Sequence, residues 1–261
     1  MTKALLDVIF ASGKRKSVLQ LLQNGPQEME HLLTSLDTTR QALLPQIRTL
    51  EDHYLVDHHK DTYRLTTIGK LIVDQMAPFV NAAEALDVDI DYWGTHNLNI
   101  IPSNLLQRIG DLGKCSIITP KITDLHNEYV QFHEASKSSH SIYVITEFLF
   151  PNYDDLFNDL ISNNVNIYFI ISPKLYEKIK SMSSGDFKRI VQNQLVNLFV
   201  YKKELNFLSF GLNDYSLIVR LLRKDNETDT KFIWCKSPEA LKWGKDAFEY
   251  YLQDSTPITE I

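Results

Sequence analysis

The chain has 261 residues, 44% of them hydrophobic and 11% aromatic, which favours two well-packed domains and excludes a wholly disordered protein. A net charge of −6 excludes a protein coated in positive charge, and no apolar run approaches the roughly 20 residues of a membrane-spanning helix. Residues 1–80 contain nine Lys/Arg and nine Asp/Glu, so the rest of the chain carries the whole negative excess. This asymmetry permits nucleic-acid binding by the first 80 residues without requiring it.

The two cysteines indicate the compartment of the protein. Cys115 and Cys235 lie far apart in the sequence, and neither belongs to a CxxC motif. Both lie in apolar, strand-like surroundings, so buried free thiols are favoured over a disulfide. Near the N-terminus the charged residues follow a short apolar patch, which is the wrong order for a secretory signal. These features predict a cytoplasmic protein in a reducing setting, with no membrane partner.

Two short amphipathic helices are predicted near the start of the chain. Residues 12–23 and residues 29–36 space their apolar side chains at helical intervals, and residues 24–26 (Asn-Gly-Pro) separate them. Residues 37–39 (Asp-Thr-Thr) form the next connection, in which Thr38 or Thr39 is a suitable N-cap.

The stretch from residue 38 to residue 65 carries the main functional signal. Its first part, TTRQALLPQIRTLEDHYLV, repeats apolar residues at intervals of four, three and four, which predicts a helix with one buried face. Pro45 falls inside this helix, so the helix is expected either to begin late, near Leu44, or to bend. Its second part, DHHKDTYRL, predicts a hairpin with strands at residues 55–58 and 62–65 and a turn at residues 60–61.

A helix with a polar outer face, followed by a basic-tipped hairpin, is typical of a winged helix-turn-helix that binds double-stranded DNA. Arg48 is suited to guanine and Gln41 to adenine, while the alternative for this face is a solvated polar surface. The predicted DNA contacts lie on this helix, on the wing and at the start of the first helix: Thr39, Arg40, Gln41, Leu44, Arg48, Thr49, His58, His59, Lys60, Arg64, Lys14, Arg15 and Lys16.

A long amphipathic helix is predicted after Thr66, with a kink at Pro78. Its apolar stripe would be buried either against the following domain or against a second copy of the chain. A homodimer is favoured, because most DNA-reading winged helices act as pairs. The stripe comprises Ile68, Leu71, Ile72, Met76, Phe79, Ala83 and Leu86.

The composition then changes to strands that alternate with helices, which predicts a central, largely parallel sheet covered on both faces. An antiparallel hairpin is predicted around Asn213-Asp214, so the sheet is mixed. The predicted fold class is therefore two-domain, α+β and α/β: residues 1–80 form a winged helix-turn-helix DNA-binding domain, and residues 81–261 form an α/β effector-sensing or dimerisation domain. Strands are predicted at residues 115–119, 142–146, 165–171, 196–201, 207–212, 215–222 and 231–235, and helices at 103–110, 123–135, 153–161, 173–182, 186–195 and 239–252.

Several segments resemble a known family. RKSVLQLLQNGPQEMEHLL and LPQIRTLEDHYLV look like an ArsR-type helix-turn-helix, and they are joined by DYWGTHNLNIIPSNLLQRIGDL and EALKWGKDAFEYYLQDSTPI. Together they resemble the archaeal winged-helix regulators of the methanogenesis regulatory protein, or filament regulator, family. The resemblance covers most of the chain and implies a transcription regulator whose C-terminal domain senses a ligand or mediates assembly. It also implies that this domain is similar to a phospholipase-D-like fold.

Motifs for catalysis are matched only in part. His58-x-Lys60 has the first spacing of a phospholipase-D site, but Leu65 takes the position of its aspartate. The sequence contains no phosphate-binding loop, dinucleotide fingerprint, nucleophile elbow or clustered metal ligands. It therefore predicts no enzyme, no catalytic residue, no metal and no cofactor.

Aromatic residues of the second domain are candidate walls of a sensor pocket, although packing in a core is their commoner role. The function predicted from the sequence is a DNA-binding transcription regulator with an unknown small-molecule effector. The alternatives are a protein–protein interaction module that uses the winged helix and, less favoured, a phosphodiesterase-like enzyme. The candidate pocket residues are Trp93, His96, Trp234 and Trp243.

Overall fold

The structure is a computed structural model, which describes residues 4–120, 125–181, 185–205, 207–225, 227 and 229–259. The chain divides into two compact units between Val80 and Asn81. Each unit has its own hydrophobic core.

Unit 1, the part of the chain up to Val80, is a helical domain with a small antiparallel sheet. Its sheet has the strand order β1-β3-β2, and the β2–β3 hairpin is the wing. The predicted helices and hairpin are present, and the sequence reading missed α1 and β1. The elements are α1 (Leu5–Phe10), α2 (Gly13–Gln23), β1 (Gln27–Glu28), α3 (Met29–Ser35), α4 (Arg40–Asp52), β2 (Val56–His59) and β3 (Thr62–Leu65).

The core of unit 1 explains the helical spacing of its apolar residues. Leu43, Ile47 and Leu50, one face of α4, are completely buried and pack in one cluster with the inner faces of α2 and α3. Burying a side chain of this size contributes about 1.5–3 kcal/mol, so the α4 face is a main source of the stability of unit 1.

Helix α4 runs from Arg40 through Pro45 to Asp52, so of the two alternatives for Pro45 the late start near Leu44 is wrong. Its start is set by Thr39, whose side chain accepts a hydrogen bond from the backbone N–H of Ala42 at 3.4 Å. The early start places both Arg40 and Gln41 on the helix instead of in the preceding turn.

A long helix, α5 (Thr67–Leu86), spans the division between the units. The hydroxyl of Thr66 accepts a hydrogen bond from the N–H of Gly69 at 3.0 Å, which caps its first turn. The predicted apolar stripe is only partly buried, because the buried face of α5 in unit 1 contains Val73 and Val80. Three members of the predicted stripe are exposed: Ile68, Leu71 and Phe79.

Unit 2 is built on an eight-stranded mixed sheet with the strand order β11-β7-β6-β5-β8-β9-β10-β4. Its elements are α6 (Ile90–Thr95), α7 (Ser103–Leu106), a 3-10 turn (Ile109–Leu112), β4 (Ser116–Ile118), α8 (Leu125–Lys137), β5 (Ser141–Thr146), α9 (Tyr153–Ser162), β6 (Asn166–Ile171), α10 (Pro173–Ser181), α11 (Gly185–Val191), β7 (Val196–Tyr201), β8 (Phe207–Leu212), β9 (Leu217–Leu221), β10 (Phe232–Cys235), α12 (Pro238–Gln253) and β11 (Ser255–Ile258).

All seven predicted strands of unit 2 are present, but the expectation of a largely parallel sheet is wrong. Only β5, β6 and β7 run parallel to one another among the described strands, and the other five pairings are antiparallel. The predicted hairpin is the β8–β9 pair. Its turn is held by Asn213, whose side-chain oxygen accepts from the N–H groups of Tyr215 and Ser216. The predicted helix at residues 123–135 begins two residues outside the described part, and β11 and α6 were missed.

Helices cover both faces of this sheet. On one face α12 buries Trp243, Ala247 and Phe248 against the side chains of the central strands. On the other face α8, α9, α10 and α11 pack over alternate residues of the same strands, including Ile142 and Ile167. Burial on both faces explains why these strands read as continuous apolar runs.

Cys115 and Cys235 form a disulfide, so the expectation of two free thiols is wrong. Antiparallel pairing of Ser116 with Trp234 at the β4–β10 edge brings the two cysteines opposite each other, with their Cα atoms 4.5 Å apart. The sequence separation of 120 residues concealed this proximity. The cytoplasmic assignment rested in part on free thiols and loses that support.

The described part of the chain contains no helix that is both long and apolar enough to cross a membrane.

Candidate nucleic-acid interface and ligand cavity

The outer face of α4 is polar and exposed. Gln41 and Arg48 are exposed and lie seven residues apart, or about 10 Å along the helix axis. Leu44 and Thr49 flank this face and are half-buried, and the Thr49 hydroxyl donates to the backbone oxygen of Pro45 at 2.9 Å. Pro45 itself is exposed between Gln41 and Arg48, so the missing N–H lies on the outer side of the helix.

The wing carries an arginine held by an acidic neighbour. Arg64 Nε donates to Asp57 Oδ1 at 2.6 Å, and Nη2 donates to Asp57 Oδ2 at 3.3 Å, across the β2–β3 pair. The hydrogen bond from Arg64 holds the pKa of the Asp57 carboxyl below its ordinary value. Both side chains are exposed, so solvent screens this pair and Arg64 can exchange Asp57 for another anion.

An ion pair and a side-chain hydrogen bond also join α4 to the wing. Arg40, the first residue of α4, pairs with Asp61 in the wing turn. Glu51, in the last turn of α4, accepts a hydrogen bond from His58 of β2, whose ring also stacks on Tyr63. Helix α4 and the wing therefore form one continuous surface.

The tip of the wing is a two-residue turn. His59 and Lys60 are exposed there, and Lys60 adopts a positive φ of 56° to close the turn. Among the described residues neither Lys60 nor Arg48 makes an ion pair. The partial phospholipase-D spacing lies in the same hairpin, where Leu65 is buried in the core of unit 1.

Of the basic residues at the start of α2, Lys14 and Lys16 are half-buried. Arg15 is 7% exposed, and its Nη2 donates to the backbone oxygen of Asp7 in α1 at 3.4 Å. Arg15 therefore packs between α1 and α2 and does not belong to the exposed surface formed by α4 and the wing.

The four candidate pocket residues lie within packed cores. Trp93 is buried, and Trp243 is buried with its indole N–H donating to the backbone oxygen of Leu105 at 3.0 Å. His96 stacks on Tyr92, and its Nε2 lies 3.4 Å from a carboxylate oxygen of Asp229. Trp234 packs against the core on the other sheet face. None of the four lines the larger cavity of unit 2.

That cavity has a volume of about 570 Å³ and lies between the sheet and the helices α8 and α9. Its wall is predominantly apolar, with contributions from Phe148, Phe157 and Phe169. Arg220 also lines the cavity, although the sequence analysis did not select it as a candidate. The sequence signal for it is an arginine inside an otherwise continuous apolar strand, Leu-Ile-Val-Arg-Leu.

Two solved structures have a partial likeness to the chain. The archaeal chromatin protein TrmBL2, described as showing a novel mode of DNA binding, has 13% identity and a TM-score of 0.43, over 93% of each chain. Nuc, a phospholipase D family member from Salmonella typhimurium, has 11% identity and a TM-score of 0.37, over 50% of this chain and 90% of that chain. Neither likeness is close enough to assign a fold.

Sequence families match both units. The family described as HVO_A0261 N-terminal domain matches residues 5–87. Methanogenesis regulatory protein FilR1 of Methanothrix harundinacea (strain 6Ac) is 23% identical over 97% of this chain and 58% of its own length. This chain therefore spans somewhat more than half of that relative. The family described as methanogenesis regulatory protein FilR1, middle domain, matches residues 122–254, just over half of this chain. The chain belongs to the methanogenesis regulatory protein FilR1 family.

Proposed function

We propose that the protein is a transcription regulator that binds double-stranded DNA through α4 and the wing of unit 1. The observation that carries the proposal is the shared surface of these two elements. Exposed Gln41 and Arg48 on α4 adjoin a hairpin that presents Lys60 and Arg64. In this arrangement the helix reads bases in the major groove while the hairpin contacts phosphates.

The name of the family supports a regulatory role, since the matched relative is called a methanogenesis regulatory protein. The match extends over 58% of that relative, so the role of the whole relative comes to this chain only as part of the proposal.

A homodimer is part of the proposal. Ile68, Leu71 and Phe79 are exposed, and their spacing of three and eight residues places them on one face of α5. Phe10 of α1 is also exposed and meets the ring of Phe79 edge-on, with the ring centroids 6.5 Å apart. An exposed apolar set of this kind supports pairing with a second copy.

The test is binding to fragments of DNA from upstream of the protein's own gene, measured over a salt series for the wild type and Arg48→Ala. We expect binding to particular fragments, with an affinity that falls steeply as salt rises. Arg48→Ala should weaken binding to the preferred fragment about 10- to 100-fold, because a bidentate arginine–guanine contact is worth about 1–3 kcal/mol. Lys70→Ala is the matched control, because it removes an exposed positive charge from α5 and leaves α4 and the wing unchanged.

Three outcomes contradict parts of the proposal. An equal loss on every fragment would make Arg48 a phosphate contact and place base reading elsewhere. Salt-insensitive binding, or none at low salt by a folded protein, would reject DNA recognition by this surface. Sedimentation velocity on the same samples measures the dimer, and a monomer at the concentrations that bind DNA would reject the paired arrangement.

The second candidate is a protein-binding winged helix. The ion pairs Arg40–Asp61 and Arg64–Asp57 favour it, because they neutralise two of the arginines on the surface. The salt series separates the two candidates, since only DNA binding through several phosphates gives a steep and sequence-independent salt dependence.

A further inference from the structure

The cavity of unit 2 has a floor formed by one face of four adjacent strands. Val144 of β5 lies between Phe169 of β6 and Gly211 of β8, and Gly211 pairs with Ile218 of β9. Directly paired residues of neighbouring strands point to the same side of a sheet. These four residues therefore form one row across the floor, and all four line the cavity.

The next row of the floor is polar. Thr146 pairs with Ser209, and Ser209 pairs with Arg220, so a hydroxyl, a second hydroxyl and a guanidinium stand side by side across β5, β8 and β9. All three line the cavity. The Thr146 hydroxyl donates to the backbone oxygen of Phe148 at 3.0 Å and accepts from the Phe148 N–H at 3.2 Å, which holds the following loop over this end.

Arg220 is 7% exposed, so its charge is held away from water. Its guanidinium lies 5.5 Å from the centroid of the Phe232 ring. Two other ionisable side chains line the wall. Glu134 pairs with Lys137 of α8, and Nε2 of His133 lies 3.2 Å from a carboxylate oxygen of Asp159 on α9. A buried arginine beside two hydroxyls is a recognition site for a carboxylate or phosphate, because the guanidinium offers paired donors to two oxygens of one anion.

The opposite end of the cavity is apolar. Along β5 the floor runs from Thr146 to Ile142, four residues, which is about 13 Å at the rise of a β-strand. At that end Ile142 and Ile167 form the next row, and Leu160 of α9 covers it. A polar end and a long apolar end define an amphipathic ligand rather than a sugar or a nucleotide.

We propose that this cavity binds an amphipathic anion, namely a carboxylate with an unbranched apolar chain, whose head contacts Arg220 and Ser209. The chain lies over Val144 toward Ile142, beside the Phe132 ring that packs on Gly211. The assignment of this cavity as the effector site of a regulator rests on the proposed function. The binding itself is measured without DNA, so a failure of either idea leaves the other in place.

The experiment is calorimetric titration of the full chain with decanoate, whose extended length matches the cavity, and with decan-1-ol, decylamine and decyl phosphate. We expect decanoate to bind at least about tenfold more tightly than decan-1-ol, because a hydrogen bond to a charged group is worth about a factor of ten or more. Decylamine should not bind. Decyl phosphate tests the anionic head itself, and binding tighter than that of decanoate would overturn the choice of a carboxylate. Octanoate should bind about 16-fold more weakly than decanoate, or about fourfold for each methylene removed.

Variants assign the binding to the cavity. Arg220→Met should lose the preference for decanoate over decan-1-ol, while Arg223→Met, an exposed arginine paired with Asp225, should keep it. Val144→Phe should abolish binding of both ligands by filling the centre of the floor. If Arg220→Met fails to fold, Val144→Phe still tests whether decanoate occupies this cavity. The proposal is overturned if decanoate does not bind at millimolar concentration, if decan-1-ol binds as tightly, or if folded Arg220→Met or Val144→Phe binds decanoate like the wild type.

Discussion

The two candidate binding sites, one in each unit, hold positive charge in opposite ways. In unit 1, Arg40 and Arg64 have side chains more than half exposed, and each is paired with an aspartate in the wing. In unit 2, Arg220 is 7% exposed and forms part of the wall of an apolar cavity. An exposed pair costs little to break, whereas a buried guanidinium interacts strongly with whatever anion reaches it.

The burial of each arginine determines which anions it can bind. An exposed arginine that exchanges one anion for another suits a long polyanion whose phosphates replace the aspartates one by one. A buried arginine accepts only an anion small enough to enter the cavity, and the rest of that anion must match the apolar wall. Changes confined to one unit test this difference.

Reduction of the Cys115–Cys235 disulfide should destabilise unit 2 and leave unit 1 unchanged. The bridge closes a loop of 120 residues, and the loss of such a link raises the entropy of the unfolded chain by the equivalent of about 3–5 kcal/mol. All three tryptophans lie in unit 2, so tryptophan fluorescence in guanidinium follows that unit alone. We expect the unfolding midpoint to fall on addition of dithiothreitol.

The control for this prediction is the double variant Cys115→Ser, Cys235→Ser, which should match the reduced wild type and show no response to dithiothreitol. DNA affinity should be the same in both forms, because the bridge lies wholly in unit 2. An unchanged midpoint after complete reduction would mean that the bridge does not constrain the unfolded chain. A loss of DNA binding would mean that the units depend on each other.

Pro45→Ala should stabilise unit 1 by about 2 kcal/mol. Proline in a helix interior is about 3 kcal/mol less favourable than alanine, and the lower entropy of a proline-containing unfolded chain offsets up to about 1 kcal/mol of this. The new N–H can donate to the backbone oxygen of Gln41, four residues earlier in α4. Hydrogen exchange of the α4 amides measures the effect without interference from unit 2.

Pro78→Ala is the matched control, since it makes the same change in α5. Both variants should slow exchange in their own helix, but only Pro45→Ala alters the exposed face between Gln41 and Arg48. We expect it alone to change which DNA fragments are preferred. Unaltered exchange in Pro45→Ala would show that α4 already accommodates the missing hydrogen bond at no cost.

The sequence was a good guide to unit 1 because its signals are local. Helical spacing identified Leu43, Ile47 and Leu50 as one buried face, and the structure buries all three completely. The hairpin followed from alternation and a short polar turn. Pro45 misled the reading, because the penalty of one proline is smaller than the burial of the whole α4 face against α2 and α3.

Unit 2 was predicted less well because its decisive contacts are long-range. Strand positions were visible as apolar runs, but strand direction depends on where each connection returns, which no local pattern records. The disulfide was not predictable from the sequence for the same reason, because its two cysteines meet only through the pairing of β4 with β10 at one edge of the sheet. The polar row of the cavity was also not predictable, because Thr146, Ser209 and Arg220 come together from three different strands.

Asp57→Asn should increase the DNA affinity of unit 1 about three- to tenfold at low salt. The substitution removes the carboxylate that occupies Arg64 and leaves the guanidinium available to a phosphate. One added phosphate contact should also steepen the salt dependence, by about 0.9 in the slope of log K against log salt. Asp74→Asn, which removes an exposed carboxylate from α5, is the matched control and should have little effect.

Mild acid should not have the same effect as Asp57→Asn, because the pKa of Asp57 is lowered and not raised. The pKa of Asp57 is lowered by its hydrogen bond with Arg64, so the carboxylate stays charged until the pH falls below its ordinary value of 3.8. The pair is therefore intact above that value and is lost only as the pH falls through the lowered pKa. A DNA titration at pH 5 should accordingly show the same ratio of Asp57→Asn to wild-type affinity as one at pH 7. A ratio that shrinks toward one at pH 5 would show that Asp57 titrates well above its ordinary value and does not hold Arg64.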